Sequence, residues 1–347
     1  MRSEFSSNNI NDDNNNNKLT TINNYINQSL CLLGHVEPLR HSGLRVLTLD
    51  GGGTRGLITI NILKQLEQHT GRRIYELFDY VCGVSTGALI GIIAGAFRIS
   101  LSKTEEIYKK FSRKMFARNR LAGVGKLFMS HAYYDTEFWE DLLQNNIGSR
   151  SFVDTMMDVE CPKLSIVSTL MNAPRVQNYL FRNYNHPSDR PSRYWGSVEH
   201  RLWQSIRASS AAPGYFEEFE LAGLIHQDGG LLTNNPTAVA LHECKLLWPT
   251  APIQCIVSIG TGKYEAKSSS DLAVKSSLKA KIMKIIESAT DTEGVHMVLH
   301  DLLPPSTYFR FNPPLSEGFL MDETREEKWS LMLADSQMYC RKNQVGR

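Results

Sequence analysis

Ser85 stands in Gly83-Val84-Ser85-Thr86-Gly87, after the apolar run Phe78 to Cys82 and before the small-residue stretch Ala88 to Phe97. A strand that ends in G-x-S-x-G and turns at once into a helix is the pattern of a nucleophile elbow. The chain reverses there in a strained conformation, so Gly83 and Gly87 leave room for the turn and for a substrate. Such a turn puts Ser85 Oγ at the tip of the strand, with the first amides of the helix behind it, where they favour a developing negative charge. The chemistry implied is attack by a serine on a carbonyl.

A second loop fits that chemistry. Asp50-Gly51-Gly52-Gly53-Thr54-Arg55-Gly56 follows the strand-like Arg45 to Leu49 and precedes a helical run from Leu57 to Gln68. Glycines between a strand and a helix leave backbone N–H groups bare. In one reading the amides of Gly52 and Gly53 form an oxyanion hole for the carbonyl that Ser85 attacks, where each lost donor costs about 2.7–4 kcal/mol. In the other, Gly51-x-Gly53-x-x-Gly56 is a dinucleotide fingerprint, which needs a carboxylate about 20 positions on, at the end of the next strand. Glu76 and Asp79 have that spacing but come before the next strand, which itself ends in Gly83-Val84-Ser85.

The third element is Asp228-Gly229-Gly230, entered from Leu224-Ile225-His226-Gln227. An Asp before glycines is often a turn residue. Here it supplies what the serine lacks, a base within reach of its proton, provided that partial desolvation lifts a carboxyl pKa from its ordinary value of about 3.9. Gly229 and Gly230 let the main chain come close to the elbow.

The order D-G-G-G-T-R-G, G-V-S-T-G, D-G-G resembles the patatin-like phospholipases. The segments Trp203 to Phe216, His226 to Pro236, Asp291 to Glu293 and Leu302 to Phe311 resemble in particular their calcium-independent phospholipase A2 gamma branch, and the likeness runs from about Leu44 to about Tyr339. The resemblance implies a three-layer α/β/α domain with a mostly parallel central sheet and a Ser-Asp catalytic dyad. It implies Ser85 as nucleophile, Asp228 as proton acceptor, and Gly51, Gly52, Gly53 and Arg55 as the oxyanion loop. The activity implied is calcium-independent hydrolysis of glycerophospholipid acyl esters through an acyl-serine, with no cofactor or metal, on phospholipid at a membrane surface. The same dyad would serve a neutral-glyceride lipase or an acyl-CoA thioesterase. Two departures bear on membrane docking and regulation: the chain stops soon after Arg341-Lys342, where the resemblance implies further helical sequence, and no long regulatory region precedes the domain.

Other constellations compete. An α/β-hydrolase triad would take Ser85, Asp228 and either His296 or His300, but Val295 to His300 reads as a helix whose histidines share a face. Without H-E-x-x-H or an acidic cluster, that pair reads as structural or solvent-facing. His226, two residues before Asp228, borders the site or belongs to the core. Ser258 to Lys263 lacks the phosphate-loop spacing and reads as a strand end beside the cleft. A lipid-binding protein without turnover would leave the pairing of Ser85 with Asp228 unexplained.

The elements that must position these residues alternate as in a parallel sheet covered on both faces. Strands are predicted at Val46–Leu49, Phe78–Gly83, Lys163–Thr169, Gln177–Phe181, Leu224–Gln227, Cys255–Ile259 and Tyr308–Phe311. Helices are predicted near 57–69, 87–97, 102–116, 136–145, 200–210, 236–247, 274–289 and 324–340. The helix after Ser85 is too short for a membrane span and carries Gly91 and Gly95, which suits a core helix against the sheet. Ser276 to Ala289 reads as a basic interfacial helix or an ordinary surface helix, and Leu121 to Met129 as an apolar rim or a plain loop.

Composition sets the remaining bounds. In 347 residues, 38 Lys and Arg against 36 Asp and Glu leave a formal charge of +2, too small to point to nucleic acid. The six cysteines show no C-x-x-C pattern and read as free thiols of a reducing compartment. Ser6 to Asn17 is nearly all Asn, Ser and Asp, a composition that predicts disorder, and Thr21 to His35 predicts a short docked helix. The division expected is therefore a tail over 1–42, one catalytic domain over 43–340 and a short tail over 341–347. Neither a signal peptide nor a transmembrane segment is seen, so the expected place is cytoplasmic with peripheral membrane association.

Overall fold

The computed structural model of the chain describes residues 14–117, 133–156, 158–264 and 292–344. Among these, nine strands form one sheet: β1 Leu44–Leu49, β2 Tyr80–Val84, β3 Lys163–Leu170, β4 Gln177–Arg182, β5 Trp195–Ser197, β6 Phe219–Leu221, β7 Leu224–Asp228, β8 Ile253–Ile259 and β9 Tyr308–Phe311. The order is β5-β4-β3-β2-β1-β8-β9, with β7 on β3 and β6 on β7. The centre, β3-β2-β1-β8-β9, is parallel throughout. Both β4 and β7 run antiparallel to β3.

The sheet is covered on both faces because its strands are apolar on both. Side chains alternate across a strand, so Leu47 and Leu49 enter one core while Leu44 and Val46 enter the other. Likewise Val81 points to the first face, and Tyr80, Cys82 and Val84 to the second. The helices are α1 Asn14–Leu32, α2 Gly56–Thr70, α3 Ile74–Leu77, α4 Thr86–Gly91, α5 Leu101–Ala117, α6 Thr136–Ile147, α7 Phe152–Thr155, α8 Leu202–Ser209, α9 Thr237–Leu247, α10 Thr292–Leu302 and α11 Glu326–Gln344. The first face takes α2, α4, α5, α6 and α8, and the second takes α9, giving the three-layer α/β/α architecture. Residues Thr86 to Ala96, from α4 through a following π turn, are all buried, so this segment is a core helix. Among the described residues, no helix is long and apolar enough to cross a membrane.

Some expectations shift. The short strands β5 and β6 and the short helices α3 and α7 were not predicted. Asn14 to Asn17, the first described residues, lie in α1, where composition predicts disorder. Its last turn is tied to the domain: Cys31 is 1% exposed and its thiol meets the Asn183 carbonyl, while Asn185 Nδ2 donates to Leu32 O at 3.2 Å. Tertiary contacts of that kind hold helices that composition alone would not. The rest of the Asn-rich stretch, Ser6 to Asp13, lies outside the described residues, as do the helix expected near 274–289 and the segment Leu121 to Met129.

Candidate active site

Strand β2 pairs with β3 as far as Val84 opposite Val167, and β7 takes the next rung, Asp228 opposite Ser168. Because β4 occupies the other edge of β3 over Ser165 to Leu170, β2 and β7 must share one edge. They run in opposite senses, so their C-terminal ends meet head-on. Ser85 follows the end of one and Asp228 is the end of the other. The close approach explains Gly229, where a Cβ would lie 2.3 Å from Val167 O and 3.1 Å from Val84 Cγ1.

Ser85 sits in the strained conformation that its flanking residues predict, with φ 52° and ψ −115°. A non-glycine residue there costs on the order of 1–3 kcal/mol and persists only where its surroundings hold it. A Cβ on Gly83 would meet Gly87 O at 2.5 Å, and one on Gly87 would meet Leu49 O at 2.3 Å. Thus both glycines are required by contact. The helix behind the serine, α4, leads straight into the core.

Asp228 is 8% exposed. Burial pushes its carboxyl from an ordinary 3.8 up to about 6, against the Gly230 amide and the Ser85 hydroxyl, which both favour the charged form. The Gly230 N–H donates to Asp228 Oδ1 at 2.7 Å. A carboxyl raised by burial with so few stabilising partners has the pKa that a general base beside a serine needs.

The glycine loop lies over the elbow. A Cβ on Gly51 would come within 3.1 Å of Ser85 Cβ. The Gly51 N–H is already engaged, donating to Asn234 Oδ1 at 3.0 Å. Among the described residues nothing accepts from the amides of Gly52 and Gly53, so both donors stand open beside the elbow. Neither tolerates a side chain: a Cβ on Gly52 would meet Thr261 Oγ1 at 2.2 Å, and Gly53, at φ 56°, would meet Met321 O at 2.1 Å. Arg55 donates from Nε back to Gly52 O at 3.4 Å, and Gly56 opens α2. The Tyr108 hydroxyl contacts both the Gly53 carbonyl and the Thr86 hydroxyl, tying the loop to the elbow helix.

These groups open into a cavity of about 510 Å³, within the range of about 300–1,000 Å³ usual for ligand pockets. Ser85, Asp228, Gly52 and Gly53 are among its polar lining, and Leu89, Phe111, Trp139, Ile206, Phe216 and Phe319 are among its apolar walls. Thr261, Gly262 and Lys263 border it, as expected for the end of β8.

Residues 47–241 match the family model described as patatin-like phospholipase. The chain belongs to the patatin-like phospholipase family. It is 45% identical over 325 residues to the rabbit (Oryctolagus cuniculus) calcium-independent phospholipase A2-gamma, covering 93% of this chain and 41% of that protein. Against the human (Homo sapiens) calcium-independent phospholipase A2-gamma the identity is 44% over 327 residues, again 93% of this chain and 41% of the relative. Phospholipase A I of Arabidopsis thaliana is 31% identical over 396 residues, 93% of this chain and 29% of its own length. The chain therefore spans about two fifths of the length of the mammalian relatives and less of the plant one.

Within this patatin-like site the competing histidines are not assembled. His296 Nδ1 meets the Tyr308 hydroxyl at 3.3 Å, exposed His300 pairs with Asp301, and neither lines the cavity. His226 is fully buried, its Nδ1 2.9 Å from Ser168 Oγ and its ring against Tyr179 and Phe181. Burial and then His200 bring it down to about 4, so it is a neutral core residue. Asp79 pairs with Arg45 at 3.2 Å and Glu76 caps the Arg73 amide, both at the N-terminal end of β2 and so away from the glycine loop. Among the described residues, no ribose-binding carboxylate stands where a dinucleotide fingerprint would need one.

Sequence motifs assign no role to three residues of the site: Asn234, Ser209 and Arg310. Arg310 left a signal, a lone charge within the apolar strand Tyr308 to Phe311. Its guanidinium binds both Asp50 oxygens, at 2.9 and 2.5 Å, and Ser258 Oγ at 2.9 Å. Asn234 and Ser209 left none, because each serves a backbone amide more than 100 residues away in the chain.

Proposed function

We propose that the chain is a lipid acyl hydrolase of the phospholipase A type that works through a Ser85–Asp228 dyad. The observation that carries this reading is Asp228: buried, raised to about 6, and placed against the head of a strained serine elbow. A carboxyl with that pKa is ionised at neutral pH yet basic enough to accept a proton as the serine attacks.

Asp228 takes the hydroxyl proton while Ser85 Oγ adds to the ester carbonyl. The amides of Gly52 and Gly53 receive the oxyanion, helped by the α4 N-terminus. The tetrahedral adduct collapses to an acyl-serine, and protonated Asp228 returns its proton to the departing alkoxide. Water, deprotonated by the same carboxylate, attacks the acyl-serine; as the fatty acid leaves, Asp228 returns the proton to Ser85 Oγ, so one base serves both half-reactions. Every nucleophile and proton acceptor in this sequence is a side chain or water, which supports calcium independence. Turnover should survive a chelator.

The apolar walls suit an acyl chain, and the names of the relatives support phospholipid as the ester, presented at a membrane surface. The six cysteines are all free, which favours a reducing compartment and peripheral contact from its side of the membrane.

The test is fluorophosphonate labelling together with fatty-acid release from phosphatidylcholine vesicles. Ser85→Ala and Asp228→Asn should abolish turnover, while a His296→Ala, His300→Ala double variant keeps it. Retained turnover in Asp228→Asn, or its loss in the histidine variant, would move the base elsewhere. An unlabelled wild type would overturn the hydrolase reading.

A further inference from the structure

The end of α8 touches both halves of the dyad through the main chain. The Ser85 N–H donates to Ser209 Oγ at 2.7 Å, and Ser209 Oγ donates to Val167 O at 2.6 Å. Two residues on, Ala211 O accepts the Asp228 N–H at 3.0 Å. Ser209 and Ala211 are both fully buried, so water cannot replace either contact.

The direction of the Ser209 bonds is forced. An amide can only donate and a carbonyl can only accept, so the hydroxyl proton must point to Val167 and a lone pair must take Ser85. The hydroxyl is thus a one-atom splice at the rung of the sheet where β2 stops and β7 begins. It fills the place where Ser85 would otherwise continue the ladder, and it allows the chain to leave β3 with φ 52°.

We propose that the turn Ser209–Ala211 is the gauge that sets the Ser85–Asp228 spacing, with Ser209 as a positioning residue for the nucleophile. Ser209 touches no reacting atom. It acts by holding the amide of the residue that does, from the same rigid turn that holds the amide of the base. Without the hydroxyl, the Ser85 N–H and the Val167 C=O are both left buried and unpaired, and the strained elbow relaxes. The catalytic consequence rests on the hydrolase reading above; the main-chain clamp does not.

Two readouts on the whole chain separate these. In Ser209→Ala, hydrogen exchange read at the Ser85 amide should accelerate about 10- to 100-fold, while the Asp228 amide, held by Ala211, keeps its protection. Fluorophosphonate labelling should slow about 100-fold in its maximal rate, the effect expected of a displacement near 1 Å, with half-saturation little changed. Ser209→Thr, which keeps the hydroxyl, should recover much of that rate. Ser205→Ala is the control: it removes another fully buried hydroxyl of α8, one that donates to Leu202 O at 2.7 Å, and should leave the labelling rate within about threefold of wild type. Labelling of Ser209→Ala at the wild-type rate, an equal loss in Ser205→Ala, or equal acceleration at the Ser85 and Asp228 amides would overturn the proposal and leave the hydrolase reading intact. A wild type that does not label at all would overturn both.

Discussion

Arg310 grips Asp50 through both terminal nitrogens, and the pair fastens the start of the glycine loop to β9, the last strand on that side of the sheet. Both side chains are 3% exposed. Burial raises the Asp50 carboxyl and the guanidinium pulls it back, so the charge there depends on its partner. Removing one member of a buried pair leaves the other uncompensated, at a cost of about 3–5 kcal/mol. Arg310→Met should therefore lower the melting temperature by roughly 10 °C, at a few degrees per kcal/mol. The double variant Asp50→Asn, Arg310→Met should regain most of that loss. A single variant that melts within a couple of degrees of wild type would show that the loop needs no such anchor.

Legibility from the sequence followed how local each cause is. Ser85, Gly83 and Gly87 could be read because a strained reversal demands glycine within two positions of the serine. The seven longer strands could be read because an apolar run bounded by turns is a local pattern. A three-residue strand such as Trp195–Ser197 shows no period and went unseen. The reversal of β7 against β3 was equally hidden, since strand sense depends on connections and not on side-chain alternation. Yet that reversal is what drives the end of β7 against the end of β2 and brings Asp228 to Ser85. Asn234 and Ser209 act on distant amides, and a polar residue in a loop or at a helix end announces no such partner.

The elbow strain makes a prediction about stability alone. Glycine adopts φ near +50° freely, whereas alanine carries the same penalty as serine. Ser85→Gly should therefore be more stable than Ser85→Ala by about 1–2 kcal/mol, though neither can form an acyl-enzyme. Thermal melts of the two variants decide it, and equal melting temperatures would mean that the turn relaxes without cost.

Two glycines of similar φ should respond differently to alanine. Gly53, at φ 56°, has Met321 O 2.1 Å from the position of a Cβ, whereas Gly71, at φ 67°, has nothing within 4 Å. Both substitutions add backbone strain of about 1 kcal/mol. Only Gly53→Ala must also push the loop off its seat and displace the amides of Gly52 and Gly53, so its turnover should fall at least about 100-fold, while Gly71→Ala keeps wild-type turnover. Initial rates of fatty-acid release at matched folded protein would separate them. Comparable losses would place the oxyanion donors outside this loop.

The raised Asp228 carboxyl ties activity and stability to pH with opposite signs. In its proposed role as the base it works only when ionised, so kcat/KM should rise through about pH 6 and level off above it. For stability the folded value lies above the unfolded 3.8, so the native state holds the proton more tightly than the unfolded chain does. The protein then loses stability as pH rises from about 4 to 6, and the loss is constant above that. A shift of about two units is worth roughly 3 kcal/mol at 1.36 kcal/mol per unit. Asp228→Asn keeps the shape and can still accept the Gly230 N–H, but it never has to bury a charge. It should match wild-type stability below pH 4 and exceed it by up to about 3 kcal/mol above pH 6, where it is also inactive. Denaturant melts of both proteins at pH 4 and pH 8 check this. A difference that does not change between the two would mean that Asp228 titrates near its ordinary value, and with it the case for this aspartate as the tuned base would fail.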